Sequence, residues 1–221
     1  QVFLHDIIDF QGRNHHNIND THFLVEMQAF RKDRVESMVQ GAARFLFGLC
    51  KAFPNTQFNI VKSNHDEAFD RWVRSTPNWI DPVNTRYWHE CNAVQLRHIE
   101  SGTPFDVFAW AVFKAGHEQG LDLSSLGLRF IEEDESVLIN GIEYGMHGHL
   151  GPNGSRGSPK NFRQIGRRVN HGHTHTAGII DGVWTAGVLG KLDMGYNRGP
   201  SSWSQTNILT YPNAKGTLIT Q

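Results

Sequence analysis

The sequence predicts an α/β fold. Two patterns carry that expectation: a strand, a loop, a long helix and a second strand follow one another over residues 2–61, and three hairpin turns punctuate the C-terminal part. Composition is the third support. The chain has 221 residues, 38% of them hydrophobic, with Lys+Arg 21 against Asp+Glu 22. That is enough apolar material for a sizeable core, and it excludes disordered, collagenous and small disulfide-stapled classes.

Taken in order, Val2 to Ile8 is an apolar run of strand length that ends among Asp6 and Asp9, and residues 11–22 read as a polar loop. From Asp33, the positions Val35, Met38, Val39, Ala42, Leu46, Leu49, Cys50 and Phe53 keep a 3.6-residue period until Pro54-Asn55 stops it, which predicts an amphipathic helix. Phe58 to Val61 is the second strand, and the strand–helix–strand order makes the two strands parallel. Residues 67–120 read as helical and aromatic, with a start at Thr103-Pro104-Phe105-Asp106 in which Thr103 is the cap and Pro104 opens the first turn. Hairpins are expected at Asn140-Gly141, at Asp181-Gly182 and around Pro212 to Gly216. The expected organisation is one domain over 1–221, with the aromatic helical stretch at about 67–120 as an insert.

Charge and cysteine usage narrow the partners. A net charge of −1 gives no overall attraction to nucleic acid or membrane, so a polyanion must be met by a local patch. Cys50 and Cys91 read as buried thiols of a reducing compartment rather than as a framework. No apolar run reaches the ~20 residues of a membrane span and the opening QVFLHD lacks a signal-peptide pattern, so a cytoplasmic location is expected.

Histidine is the anomaly. The chain has His 13, and His147, His149, His171, His173 and His175 fall within one short span. Four stretches place metal ligands directly after apolar runs: HDIID at 5–9, NHD at 64–66, HGH at 147–149 and GHTH at 172–175. Carboxylate, amide oxygen and imidazole together suit Mn²⁺, Fe or Zn²⁺, and two cysteines exclude a thiolate site. Imidazoles one residue apart would point to opposite faces of a strand, whereas on a loop beside glycine both can turn toward one site.

In this order, HDIID, SNHDE, HGH and GHTH resemble the motifs of the calcineurin-like metallophosphoesterases over nearly the whole chain. The resemblance implies a two-sheet sandwich flanked by helices, two divalent ions (Mn²⁺ first, with Fe, Zn²⁺ or Mg²⁺ as alternatives) and phosphoester hydrolysis. It implies Asp6 as the carboxylate shared by both metals, Asn64, His147 and His173 as ligands of the second metal, and His175 as a ligand of the first. His65 would bind the scissile phosphate and protonate the leaving oxygen, with Asp66 orienting it and Asp9 in support. His149 and His171 would stand behind the ligands.

The departures from the family pattern are specific. No D-x-H precedes HDIID, and His5 and Ser63 replace glycines that precede the family's Asp and Asn. The expectation is that residues before Gln1 supply the D-x-H strand; the alternative is that His5, His15 or His16 substitutes for it. Between HGH and GHTH, Arg156, Lys160, Arg163, Arg167 and Arg168 form a basic stretch with no acidic residue, which could hold a phosphodiester backbone or be a solvated surface. Together with the aromatic insert, this is similar to phage-encoded, DNA-degrading phosphoesterases, which implies host cytoplasm as the location. The expected function is a phosphodiesterase or nuclease acting on DNA, with a phosphomonoesterase or nucleotide hydrolase as the second reading and a non-catalytic binding module as the third. The sequence leaves the oligomeric state open.

Overall fold

The computed structural model describes residues 1–4, 6–13, 17, 19–75, 81–133, 135–194 and 199–212, and the backbone of 216–220. The chain is mixed α/β and divides into two compact units. One, the helical unit, comprises residues 6–58 and 64–129; the other, the β unit, comprises 1–5, 59–63 and 130–221.

In the helical unit, α1 (Thr21–Ala29) begins where the Asp20 carboxylate accepts from the Phe23 amide. The polar stretch expected to be a loop through residue 22 therefore ends in a helix, whose sequence shows no strong apolar stripe because only Met27 is buried. The predicted amphipathic helix is α2 (Val35–Ala52), and its period places Val35, Val39, Ala42, Ala43, Leu46 and Cys50 inside. α3 (Asn64–Arg74), α4 (Thr85–Ser101) and α5 (Val107–Glu118) complete the unit, with α5 packed on α2 and α3. The cap of α5, Asp106, lies three residues later than the expected Thr103. The Thr103 amide donates to His98 O and closes α4 beyond a left-handed Gly102, leaving Asp106 to cap the next helix by accepting from Ala109 N. The core is a ring cluster: Phe69 lies 5.6–6.5 Å, centroid to centroid, from Phe10, Trp72, Tyr87 and Phe108. These aromatics are buried packing groups.

In the β unit, the first strand is shorter than the predicted 2–8: β1 (Val2–Phe3) pairs parallel with β2 (Phe58–Val61). Adding β3 (Leu128–Ile131) gives the order β1-β2-β3, over Leu4, Val61 and Ile131. The larger sheet has the order β4-β5-β6-β8-β7, with β4 (Leu138–Ile139), β5 (Ile142–Glu143), β6 (Arg168–His171), β7 (Gly178–Ile180) and β8 (Val183–Thr185). Its hairpins turn where predicted. Asn140 and Gly141 take φ 53° and 75°, and Asp181 and Gly182 take 46° and 84°, the left-handed pair that a two-residue turn of matching twist requires. The hairpins are not consecutive in the sheet, because β6 is inserted between them, parallel to both β5 and β8. Residues 151–170 are therefore not only a basic loop; they contain α6 (Pro159–Phe162) and lead into β6. The last predicted hairpin is present as β9 (Thr206–Thr210) and β10 (Gly216–Thr220), although its turn residues 213–215 lie outside the described ones.

Candidate metal and phosphoester site

The sheet order decides what the histidine motifs can do. β6 runs directly into Gly172-His173-Thr174-His175, and the Gly172 amide donates to His147 O at 2.7 Å, so the backbone joins the two motifs of the β unit. Gly148 makes that approach possible. Its φ is +125°, and a Cβ there would meet His171 Nδ1 at 2.7 Å and Gly172 O at 2.9 Å. His173 and His175 both adopt left-handed φ, 69° and 60°, which lifts their rings off the alternation of a strand.

Three imidazoles then face one another. The ring centroids of His147, His149 and His173 are 5.1–5.9 Å apart. Buried His147 donates from Nδ1 to Leu4 O at 2.7 Å, which in the neutral ring leaves a lone pair on Nε2. That Nε2 is 3.3 Å from His173 Nδ1. Two nitrogens bound to one ion at about 2.0–2.1 Å, with octahedral to tetrahedral angles, lie about 2.8–3.4 Å apart, so the pair has the spacing of co-ligands. A backbone carbonyl on the far ring nitrogen is also how ligand imidazoles are oriented. The donor set therefore fits a divalent ion. His149 Nε2 is 3.2 Å from Glu133 Oε1. Glu133 was not among the predicted residues, although it follows β3 as Asp6 follows β1, an acid just past an apolar run.

The other two histidines of the cluster have different surroundings. His171 is fully buried, its Nδ1 3.0 Å from Gly172 O and its Nε2 3.0 Å from Thr185 Oγ1, with the ring against Phe162. Burial pushes its pKa down to about 4, so it is a neutral structural ring. His175 lies edge-on to Trp203, with centroids 4.2 Å apart.

The helical unit brings together a second set. His65, in the first turn of α3, has Nδ1 2.7 Å from Asp9 O and 3.3 Å from Asp9 Oδ1, and Nε2 3.7 Å from Asp6 Oδ2. With the carbonyl accepting at Nδ1, Nε2 is turned to Asp6. Burial works against the charged ring, but the Asp9 hydrogen bond and the charges of Asp6 and Asp9 outweigh it and raise the pKa to about 9. A cation bound by Asp6 would reverse part of that push. Asn64 opens α3, its carbonyl accepting from Arg71, and Asp66 is 1% exposed in the same turn. The Asp9 turn is fixed by Arg13, whose guanidinium donates to Asp81 Oδ2 at 2.6 and 2.9 Å.

The expected basic stretch lies on the surface. Arg156, Lys160, Arg163, Arg167 and Arg168 are all exposed, with Arg163 paired to Asp181 at 2.9 Å and Arg168 lying 6.0 Å over the Trp184 ring. His5, His15 and His16 lie outside the described residues.

Among the described residues, no helix is long and apolar enough to cross a membrane. No protein-family model and no solved structure matches the chain. Over 220 residues, 98% of its length, the chain is 44% identical to "Protein A1" of Escherichia phage T5, and it spans 38% of that protein.

Proposed function

We propose that this chain is a metal-dependent phosphoester hydrolase, with a phosphodiester of DNA as its first substrate class. The observation that carries the reading is the 3.3 Å approach of His147 Nε2 and His173 Nδ1, with the first ring anchored to Leu4 O. These two imidazoles would hold a divalent ion, Mn²⁺ first; Asp6, Asn64 and His175 are the further ligands that the motif order assigns. A bound divalent pair would supply Lewis-acid charge and a water of lowered pKa.

The remaining work falls to the chain's own groups. His65 carries a proton on a ring whose Nδ1 is fixed by Asp9, which suits it to donate to a departing oxygen. His171 keeps the GHTH loop in place by using both ring nitrogens within the protein. Arg156, Arg163, Arg167 and Arg168, exposed cations of the basic stretch, would meet a phosphate backbone.

The test is hydrolysis of bis(p-nitrophenyl) phosphate with Mn²⁺. His173→Ala should lose bound metal and turnover together, whereas His65→Ala should keep its metal and lose roughly 10²-fold or more in kcat. Equal metal loss in both would make His65 a ligand, and unchanged turnover in both would end the hydrolase reading.

A further inference from the structure

The helical stretch that carries the aromatic core also reaches back toward the proposed chemistry, through one carboxylate. Asp81, ahead of α4, accepts at Oδ2 from Arg13 Nη2 at 2.6 Å, from Arg13 Nε at 2.9 Å and from Asn84 Nδ2 at 2.8 Å. Both side chains of the ion pair are only 14% exposed. Taking two charges out of water is costly, so a pair in this setting fixes position more than it adds stability. Asn84 extends the contact: its Nδ2 also donates to Asp33 O and its Oδ1 accepts from Val35 N, which fastens the starts of α2 and α4 to the same point.

The other side of Arg13 holds the turn against which His65 stands. Its Nη1 donates to Gly12 O at 2.9 Å and its amide to Phe10 O at 3.2 Å. Phe10 has φ 54° and is 1% exposed, with its ring edge-on to Phe69 and Trp72 of α3 at 5.8 and 6.2 Å. A bulky residue keeps that backbone conformation only where its surroundings fix it from more than one side. Here the ring cluster fixes the side chain and Arg13 the carbonyl. Asp9, the residue before, then presents its O at 2.7 Å and its Oδ1 at 3.3 Å to His65 Nδ1. Every group on this path belongs to the helical unit.

We infer that Arg13 and Asp81 are positioning residues: they hold the Asp9 turn so that the His65 ring keeps the angle from which it donates to the departing oxygen. The inference rests on the hydrolase reading for the reaction, and it gives the aromatic helical stretch a part in turnover besides packing. Neither residue is among the proposed metal ligands, so the clamp acts on kcat rather than on metal content.

The test compares Asp81→Asn and Arg13→Gln with Arg86→Gln, which breaks an exposed ion pair to Glu36 in the first turn of the same α4. With Mn²⁺ and bis(p-nitrophenyl) phosphate, each clamp variant should lose roughly tenfold or more in kcat, with KM and bound Mn²⁺ within about twofold of wild type, while Arg86→Gln stays within about twofold throughout. In a His65→Ala background, Asp81→Asn should cost less than about twofold more, because residues that act through one another are not additive, whereas a general loosening of the fold adds to the loss. A second measurement needs no turnover. In the metal-free chain, His65 Nδ1–H bonded to Asp9 O should give a downfield proton resonance that is absent from His65→Ala, lost in both clamp variants and kept in Arg86→Gln. Should Asp81→Asn be unfolded at the assay temperature, Arg13→Lys, which keeps the charge without the two-donor grip, decides by the same criteria. Wild-type kcat in the clamp variants, an additive loss, Mn²⁺ lost in step with kcat, or a resonance that survives both substitutions overturns the inference. Loss of the resonance in a chain that does not hydrolyse the diester would keep the clamp and sink the hydrolase reading. His65-dependent hydrolysis that neither clamp substitution changes would do the reverse.

Discussion

The two units bury different chemistry. The helical unit fills its interior with rings, with Phe69 at the centre of Phe10, Trp72, Tyr87 and Phe108. The β unit buries polar groups: His147, Asn170, His171, Thr185 and a Glu143 carboxylate that accepts from the amides of Val137, Tyr144 and Gly145. Helices satisfy their own main chain and need only an apolar face, whereas loops at strand ends must find partners for every amide, and side chains and close backbone contacts supply them. The imidazoles proposed as metal ligands therefore stand where polar groups are already paired. That is why the β unit cannot spare Gly148, while the helical unit carries a glycine in mid-helix at Gly48 with nothing near it.

Four substitutions or conditions break or sharpen this contrast. The largest effect belongs to the ring cluster: Phe69→Ala should cost about 3–5 kcal/mol in urea unfolding, because a fully buried ring leaves a cavity its neighbours cannot fill. A loss below 1 kcal/mol would mean that the cluster is loosely packed.

Next is acid. Unfolded His171 titrates near 6.5 and folded His171 at about 4, so between these values the unfolded chain binds more protons and stability falls as pH falls, by roughly 3 kcal/mol at most. His65 has the opposite sign. Its pKa is raised to about 9, so its contribution is full below 6.5 and fades as pH rises through 9. Metal-free unfolding followed from pH 4 to 10 should show both slopes, with the acid slope lost in His171→Gln and the alkaline one in His65→Gln. A single slope surviving both substitutions would assign it elsewhere.

The third is Gly148→Ala, expected to cost about 1–3 kcal/mol from its φ and the 2.7 Å clash with His171, and to lower metal affinity as the loop shifts. The smallest is Gly48→Ala in α2, expected to stabilise by about 0.5–1 kcal/mol, since its Cβ meets nothing within 4 Å. Thermal melts of the pair, run side by side, read the contrast directly; equal shifts of one sign would erase it.

The sequence was legible where one local rule decides. The α2 stripe and the Asn-Gly and Asp-Gly turns needed only period and turn chemistry. Strand β6 was not legible because Arg168 to His171 has a single aliphatic residue, Val169, and becomes a strand only by pairing with β5 and β8 on both sides. The α1 helix was hidden for a similar reason, a capped helix with one buried residue. Within the candidate site, the nearness of HGH to GHTH followed from two clustered motifs, but the separate surroundings of His171, His173 and His175 did not. Those depend on left-handed φ at His173 and His175 and on how closely Gly148 lies against His171, quantities that no spacing encodes.

The central claim is that the imidazoles of the β unit hold a divalent ion. Pulsed electron paramagnetic resonance of the Mn²⁺-loaded chain tests it most directly, because nitrogen coupled to the ion reports imidazole ligation. The account predicts ¹⁴N couplings that weaken in His147→Ala and in His173→Ala and persist in His171→Gln. Mn²⁺ bound with no nitrogen coupling, or with couplings that all three variants leave intact, would contradict it.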